Sequence, residues 1–162
     1  LTMRDYLNEI ILSFKEISKK KFIFNFDQFS NVKKITKSIE IVYGLRNFIG
    51  NANKFSKNSI YINLKSDSEF TEITIEDDGN GYPKDVLSKI GEPYLRSNDS
   101  IDKSKTGLGL GLFIGKTLLE KNFASINCRN SKTRTGAEVI IKWKNKESVS
   151  YTHLTLPTTP YV

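Results

Sequence analysis

At 162 residues, 38% hydrophobic and 27% charged, the chain has the length and composition of one globular domain with a real core. It holds no stretch as long and apolar as a membrane span, no signal peptide is expected, and its one cysteine, Cys128, excludes an internal disulfide and fits a reducing compartment. The net charge of +7 asks for an anionic partner, but the lysines are spread from Lys19 to Lys146 with no zinc-finger spacing and no helix-turn-helix, so nucleic acid is not expected.

Leu7, Ile10, Ile11, Phe14 and Ile17 recur at helical spacing and predict an amphipathic helix over Asp5 to Lys20. Phe22, Phe24 and Phe26 alternate with other residues as in a strand. Ser38 stands before a long helical pattern, Ile39 to Phe55. Ile60, Ile62 and Leu64, then Ile73, Ile75 and Asp77, alternate on either side of the polar turn Ser66 to Glu69, which predicts a hairpin. Pro83 opens a short helix through Ile90. Asn98 to Thr106 is polar and irregular, a candidate mobile loop. A helix over Leu110 to Asn122 follows, then strands over Ser125 to Asn130 and Ala137 to Trp143 around a turn at Thr135-Gly136. Cys128 reads as a buried strand residue. Hairpins interspersed with helices favour an α/β (α+β) sandwich with a mixed sheet over a doubly wound parallel sheet. From Ser148 to Val162 no Asp, Glu, Lys or Arg occurs, so this tail looks appended, and its His153, the only histidine, is set aside from the chemistry.

Four motifs carry chemical content. In Lys105-Thr106-Gly107-Leu108-Gly109-Leu110-Gly111 the glycines run into a helix. A helix N-terminus has unpaired N–H groups and about half a positive charge, and glycine lets an anion approach the backbone, so this run suits a phosphate. In Leu45 to Ser56 a helix puts Asn47, Asn51 and Lys54 on one face, with Val42, Leu45, Ile49 and Ala52 toward the core. Two carboxamides and an ammonium suit Mg²⁺ and a triphosphate; a solvated polar helix face explains them equally well. In Asp77-Asp78-Gly79-Asn80-Gly81-Tyr82 a carboxylate ends a strand and glycines turn the chain. Such a carboxylate can accept from an exocyclic amine such as adenine's. A calcium loop or plain hairpin turn is the alternative, although the further oxygen ligands and closing Glu of an EF-hand are missing. In Gly91-Glu92-Pro93-Tyr94-Leu95-Arg96 the aromatic can anchor a loop and Arg96 can reach a phosphate, or the two are a hydrophobic plug and a surface arginine.

In order and spacing these motifs resemble the N, G1, F and G2 boxes of the ATP-binding domain of sensor histidine kinases, over roughly Leu7 to Lys146. Thr135-Gly136 fits the last glycine box. The wider class is the fold shared with gyrase, Hsp90 and MutL. Ile90 to Tyr94 and Gly107 to Glu120 look most like the RegB/PrrB/ActS redox-responsive kinases. The resemblance implies a Bergerat-type mixed sheet with helices packed on one face and a flexible ATP lid. It implies a catalytic ATP-binding domain over 1–147, with 1–20 as a linker helix from a dimerization domain; by its composition 148–162 is expected to be a non-native or disordered tail.

By the same resemblance, Asn51 would coordinate Mg²⁺ with Asn47 in support, and Lys54 would position phosphate. Phe55 would lie near the base or sugar, and Asp77 would read the adenine amino group. Gly79 and Gly81 would make room for the base. Tyr94 would anchor the lid from about Asn98 to Thr106, and Arg96 could reach phosphate. Gly107, Leu108, Gly109, Leu110 and Gly111 would hold the phosphates, and Thr135 would line the pocket. Tyr82 stands where an aliphatic residue is usual, which alters base packing. The gyrase and Hsp90 relatives carry a water-activating Glu one helical turn before the Mg²⁺ asparagine. Asn47 stands there and has no useful basicity, which disfavours an ATPase. The expectation is an ATP/ADP- and Mg²⁺-binding kinase portion, cytoplasmic, from a membrane-anchored homodimer. It would donate the γ-phosphoryl to a histidine on a separate dimerization domain, upstream of a response regulator receiver domain. A GHKL-type ATPase and a nucleotide-free signalling module are the alternatives.

Overall fold

The computed structural model describes residues 2–26, 38–90 and 109–145. In chain order the elements are α1 (Met3–Lys15), β1 (Lys21–Phe26), α2 (Ile39–Phe55), β2 (Ser59–Ser66), β3 (Phe70–Asp77), α3 (Lys84–Ile90), α4 (Gly109–Lys121), β4 (Ser125–Asn130) and β5 (Ala137–Lys144). Tyr94, Arg96, Gly107, Leu108, the lid and the tail lie outside the described residues.

The sheet has five strands in the order β1-β2-β3-β5-β4. β1 and β2 are parallel, as a helical crossover through α2 requires, and the other pairs are antiparallel. Alternation fixes the register: Ile60, Ile62 and Leu64 on β2 pair with Asp77, Ile75 and Ile73 on β3, so one face is apolar up to Asp77 at its end. Val139 and Ile141 of β5 extend that face beside Ile75 and Ile73. The helices cover it, and Leu45, Phe48 and Ile49 of α2 and Leu119 of α4 are almost fully buried there. This is a mixed sheet with helices on one face, an α/β sandwich as expected.

The first helix departs from its sequence pattern. It begins at Met3 because Thr2 and Asp5 form a capping box, Thr2 Oγ1 accepting from the Asp5 amide and the Asp5 carboxylate from the Thr2 amide. It ends at Lys15, short of Lys20, and Ile17 is left 81% exposed. Residues beyond the helix serve another contact. Ser18 Oγ donates to Asn53 Oδ1 at 2.6 Å, and Lys20 Nζ donates to the carbonyls of Asn53 and Ser56, each at 2.7 Å. A cation on the terminal carbonyls of α2 is favourable by charge and by hydrogen bonding. α1 itself contributes Met3, Tyr6, Leu7, Ile10 and Ile11 to the common core.

Candidate functional site

α2 and α4 pack closely through small residues. A Cβ built on Gly115 would meet the Phe48 ring at 2.8 Å, and one on Gly44 would meet Leu119 at 2.8 Å. This approach brings the first turns of α4 against the polar end of α2. Gly111 faces two carboxamides there: a Cβ on it would lie 3.5 Å from Asn51 Oδ1 and 3.8 Å from Asn47 Oδ1. Asn47 Nδ2 donates back to the Tyr43 carbonyl at 2.8 Å, so that amide is committed to its own helix. Asn51 Nδ2 is buried with no hydrogen-bond partner among the described residues. A buried polar group in that condition is costly unless something else meets it. Lys54 is exposed, with its ammonium 5.3 Å from the centre of the Phe55 ring, itself half-buried. Gly109 opens α4, and Leu110 is 47% exposed.

The β3 end crosses the C-terminus of α2. Gly79 lies so close to the Phe55 carbonyl that a Cβ there would meet it at 2.1 Å. Asp78 fastens this crossing: its carboxylate accepts from the amides of Lys57 at 2.8 Å, Asn58 at 3.0 Å and Ser59 at 3.2 Å. Burial works against its ionisation, but the amides of Asn58, Ser59 and Lys57 together outweigh it and hold the carboxyl below the usual range.

Asp77 is 4% exposed. Its Oδ1 accepts from the Gly79 amide at 2.8 Å and the Ala137 amide at 3.3 Å, while Oδ2 accepts no hydrogen bond among the described residues. Burial raises its pKa, against the pull of those two amides. Gly136 presses on the same group: a Cβ there would sit 2.0 Å from the Asp77 carbonyl oxygen and 2.2 Å from Oδ1. Thr135 Oγ1 donates to the Asp78 carbonyl at 3.3 Å.

Gly81 has φ +85°, a conformation that L side chains rarely adopt. It turns the chain so that Asn130 brackets Tyr82, accepting from its amide at 2.6 Å and donating to its carbonyl at 3.2 Å. The Tyr82 side chain is buried, with its hydroxyl beside the Cys128 thiol, and burial raises both pKa values, that of Cys128 to about 11. Such a thiol carries little thiolate at neutral pH. Tyr82 is therefore a core residue beneath the turn. Asn130 and Lys20 had no signal in the sequence, because each acts through backbone groups remote in the chain.

Asn47, Asn51 and Gly111 thus form one cluster, and Asp77, Asp78, Gly79, Thr135 and Gly136 a second; Phe55 belongs to the C-terminal turn of α2, where the two meet. Among the described residues no group of three or more His, Cys, Asp or Glu gathers to hold a metal. A cation at this site would therefore take carboxamide oxygen and oxygens brought by its ligand. The unpartnered Asn51 Nδ2 is a donor and suits a phosphate oxygen, while Asn51 Oδ1 beside Gly111 is the oxygen that could ligate the cation. No helix among the described residues is long and apolar enough to cross a membrane.

Residues 36–147 match the family described as histidine kinase-, DNA gyrase B-, and HSP90-like ATPase. The chain is 37% identical over 97 residues to the sensor histidine kinase RegB of Cereibacter sphaeroides, covering 57% of this chain and 21% of that one. It is 29% identical over 87 residues to the sensor histidine kinase CpxA of Escherichia coli, covering 54% of this chain and 19% of that one. The chain thus spans about a fifth of the length of these curated relatives. Among solved structures, the mycobacterial sensor histidine kinase MprB is similar with a TM-score of 0.68 at 21% identity, over 89% of this chain and 96% of that one. The nucleotide-free catalytic domain of histidine kinase ThkA is similar with a TM-score of 0.70 at 20% identity, over 88% and 94%. These structural likenesses establish the fold.

Proposed function

The chain belongs to the histidine kinase-, DNA gyrase B- and HSP90-like ATPase family and is an ATP-binding module homologous to sensor histidine kinase catalytic domains, and we propose that it binds Mg²⁺-ATP and donates the γ-phosphoryl to a histidine delivered from another domain. The observation that carries the nucleotide reading is Asp77. Its Oδ1 is held by the amides of Gly79 and Ala137, and its other oxygen is left to accept from an adenine amino group. A buried acceptor of this kind discriminates strongly, because a base without the matching donor leaves it unpaired.

Asn51, with Asn47 in support, would hold Mg²⁺, which when bound supplies charge neutralisation on the phosphate oxygens. Lys54 contributes a mobile positive charge at the exposed rim. Gly111 keeps the face of α4 open beside Asn51, and the first-turn amides of α4 have no intrahelical partners and are suited to phosphate. On this reading Phe55 and Thr135 flank the base end, Gly79 and Gly81 clear its path, and Tyr82 supports the turn from the core. Tyr94 and Arg96, with Gly107 and Leu108, keep the roles that the family resemblance implies.

Asn47 bears on the choice between transfer and hydrolysis. Its nitrogen is spent on the Tyr43 carbonyl and its oxygen has no basicity, so Asn47 cannot abstract a proton from water. Positioning and electrostatic stabilisation remain, and they serve transfer to a nucleophile that brings its own reactivity. The acceptor would be a histidine on a dimerization domain and the next recipient a response regulator receiver domain. The parent would be a membrane-anchored homodimer with this part in the cytoplasm. The test is phosphate release from Mg²⁺-ATP by the isolated chain. We expect turnover far below the order of 1 s⁻¹ that marks the slow end of ordinary enzymes. Steady hydrolysis at that rate would make the chain an ATPase.

A further inference from the structure

A second carboxylate lies directly behind the first. Glu76 precedes Asp77 on β3, so its side chain leaves the opposite face of the sheet. It is only 6% exposed. Its strand neighbours are Tyr61 on β2 and Glu138 on β5. Two carboxylates opposite one another repel, and a buried one must be partnered. Glu138 is taken by Arg129 Nε at 2.6 Å. Glu76 instead gathers the turn between β4 and β5. Ser131 Oγ donates to its Oε2, Thr133 Oγ1 reaches the same oxygen at 3.4 Å, and Arg134 Nε lies 3.4 Å from Oε1. The Arg134 guanidinium also sits 3.6 Å from the centre of the Tyr61 ring.

The turn is stiff in itself. Ser131 Oγ accepts from the amides of Thr133 at 3.2 Å and Arg134 at 3.0 Å, and the Ser131 amide donates to the Gly136 carbonyl at 2.8 Å. Its far end reaches the other face of the sheet, where Gly136 lies against Asp77, the Ala137 amide holds Asp77 Oδ1, and Thr135 donates to the Asp78 carbonyl. One short turn is thus gripped by Glu76 from behind and grips Asp77 in front.

We infer that Glu76 is a positioning residue that sets the purine selectivity of the site. By fixing the turn it keeps the Ala137 amide on Oδ1, and so keeps the other oxygen aimed as the base acceptor. This rests on the reading of Asp77 as the adenine-reading group. The test compares Mg²⁺-ADP and Mg²⁺-GDP binding by calorimetry, well below the melting temperature of each protein. Glu76→Ala is expected to lose about tenfold in ADP affinity with GDP affinity unchanged, so that the ADP-to-GDP preference falls. Glu76→Gln still offers an oxygen to Ser131 and Thr133, and should keep that preference within about threefold. Ser131→Ala, a milder change if Glu76→Ala does not fold, should shift the preference in the same direction. A lower melting temperature with an unchanged preference would make Glu76 a structural anchor only and overturn the inference. A parent chain that binds neither nucleotide would overturn the adenine reading itself.

Discussion

Asp77 is held by two amides, yet burial raises its pKa, so the folded chain keeps that proton more tightly than the unfolded chain does. The stability this contributes is complete below the unfolded carboxyl range and is lost as pH rises through the raised value. At neutral pH the ionised group is therefore a cost to the ligand-free fold. Asparagine at 77 can accept from the same Gly79 and Ala137 amides without the charge. Ligand-free Asp77→Asn should melt above the parent at neutral pH, and the gap should close as pH falls into the carboxyl range. Equal melting at neutral pH would contradict this. Two glycines offer an opposed pair of outcomes. Gly136→Ala forces a methyl onto the Asp77 backbone and should cost about 1–3 kcal/mol or more in a denaturant titration. Gly111→Ala meets Asn51 at ordinary contact distance and gains helix propensity of about 0.5–1 kcal/mol, so it should be no less stable. Its methyl covers the unpartnered Asn51 amide, so Mg²⁺-nucleotide binding should weaken. At this scale Asn51 and Asp77 were legible because their motifs are contiguous. Glu76 and Asn130 were not, since their partners Ser131 and Tyr82 are 55 and 48 residues away.

The element that organises the site is α2, and both its ends are fixed by side chains. Ser38 caps the start by accepting from the Ile41 amide at 3.2 Å, and Lys20 binds the terminal carbonyls. Lys20→Met leaves those carbonyls without their cation and should lower stability by about 1–2 kcal/mol, measured as a shift in denaturant midpoint. The bounds of α2 and the β2–β3 hairpin could be read from Ser38 and from the Ile60-Ile62-Leu64 alternation, because capping and period are local properties. The early end of α1 could not. Ile17 continues the apolar spacing, but tertiary bonds through Ser18 and Lys20 pull the chain out of the helix. The glycine-leucine run was read for anion approach. Gly115, just past that run, meets a packing need instead, because a Cβ there would strike the Phe48 ring of α2.

Across the whole molecule, the order β1-β2-β3-β5-β4 puts β3 at the centre of the sheet, so Asp77 ends a strand paired on both sides. The carboxylate is rigid for that reason, while the α4 face opposite it is built by a separate helix pair. Hairpins interspersed with helices announced a mixed sheet but not which strands are neighbours, since pairing across β3 and β5 depends on contacts far apart in the chain. The central claim is that these two halves bind one Mg²⁺-nucleotide. Calorimetric titration of the chain with ADP and Mg²⁺, in parallel with Asp77→Asn, tests it most directly. The account predicts saturable binding by the parent and at least about tenfold weaker binding by the variant. No binding by the parent up to about 1 mM nucleotide, or equal binding by the two proteins, would contradict it.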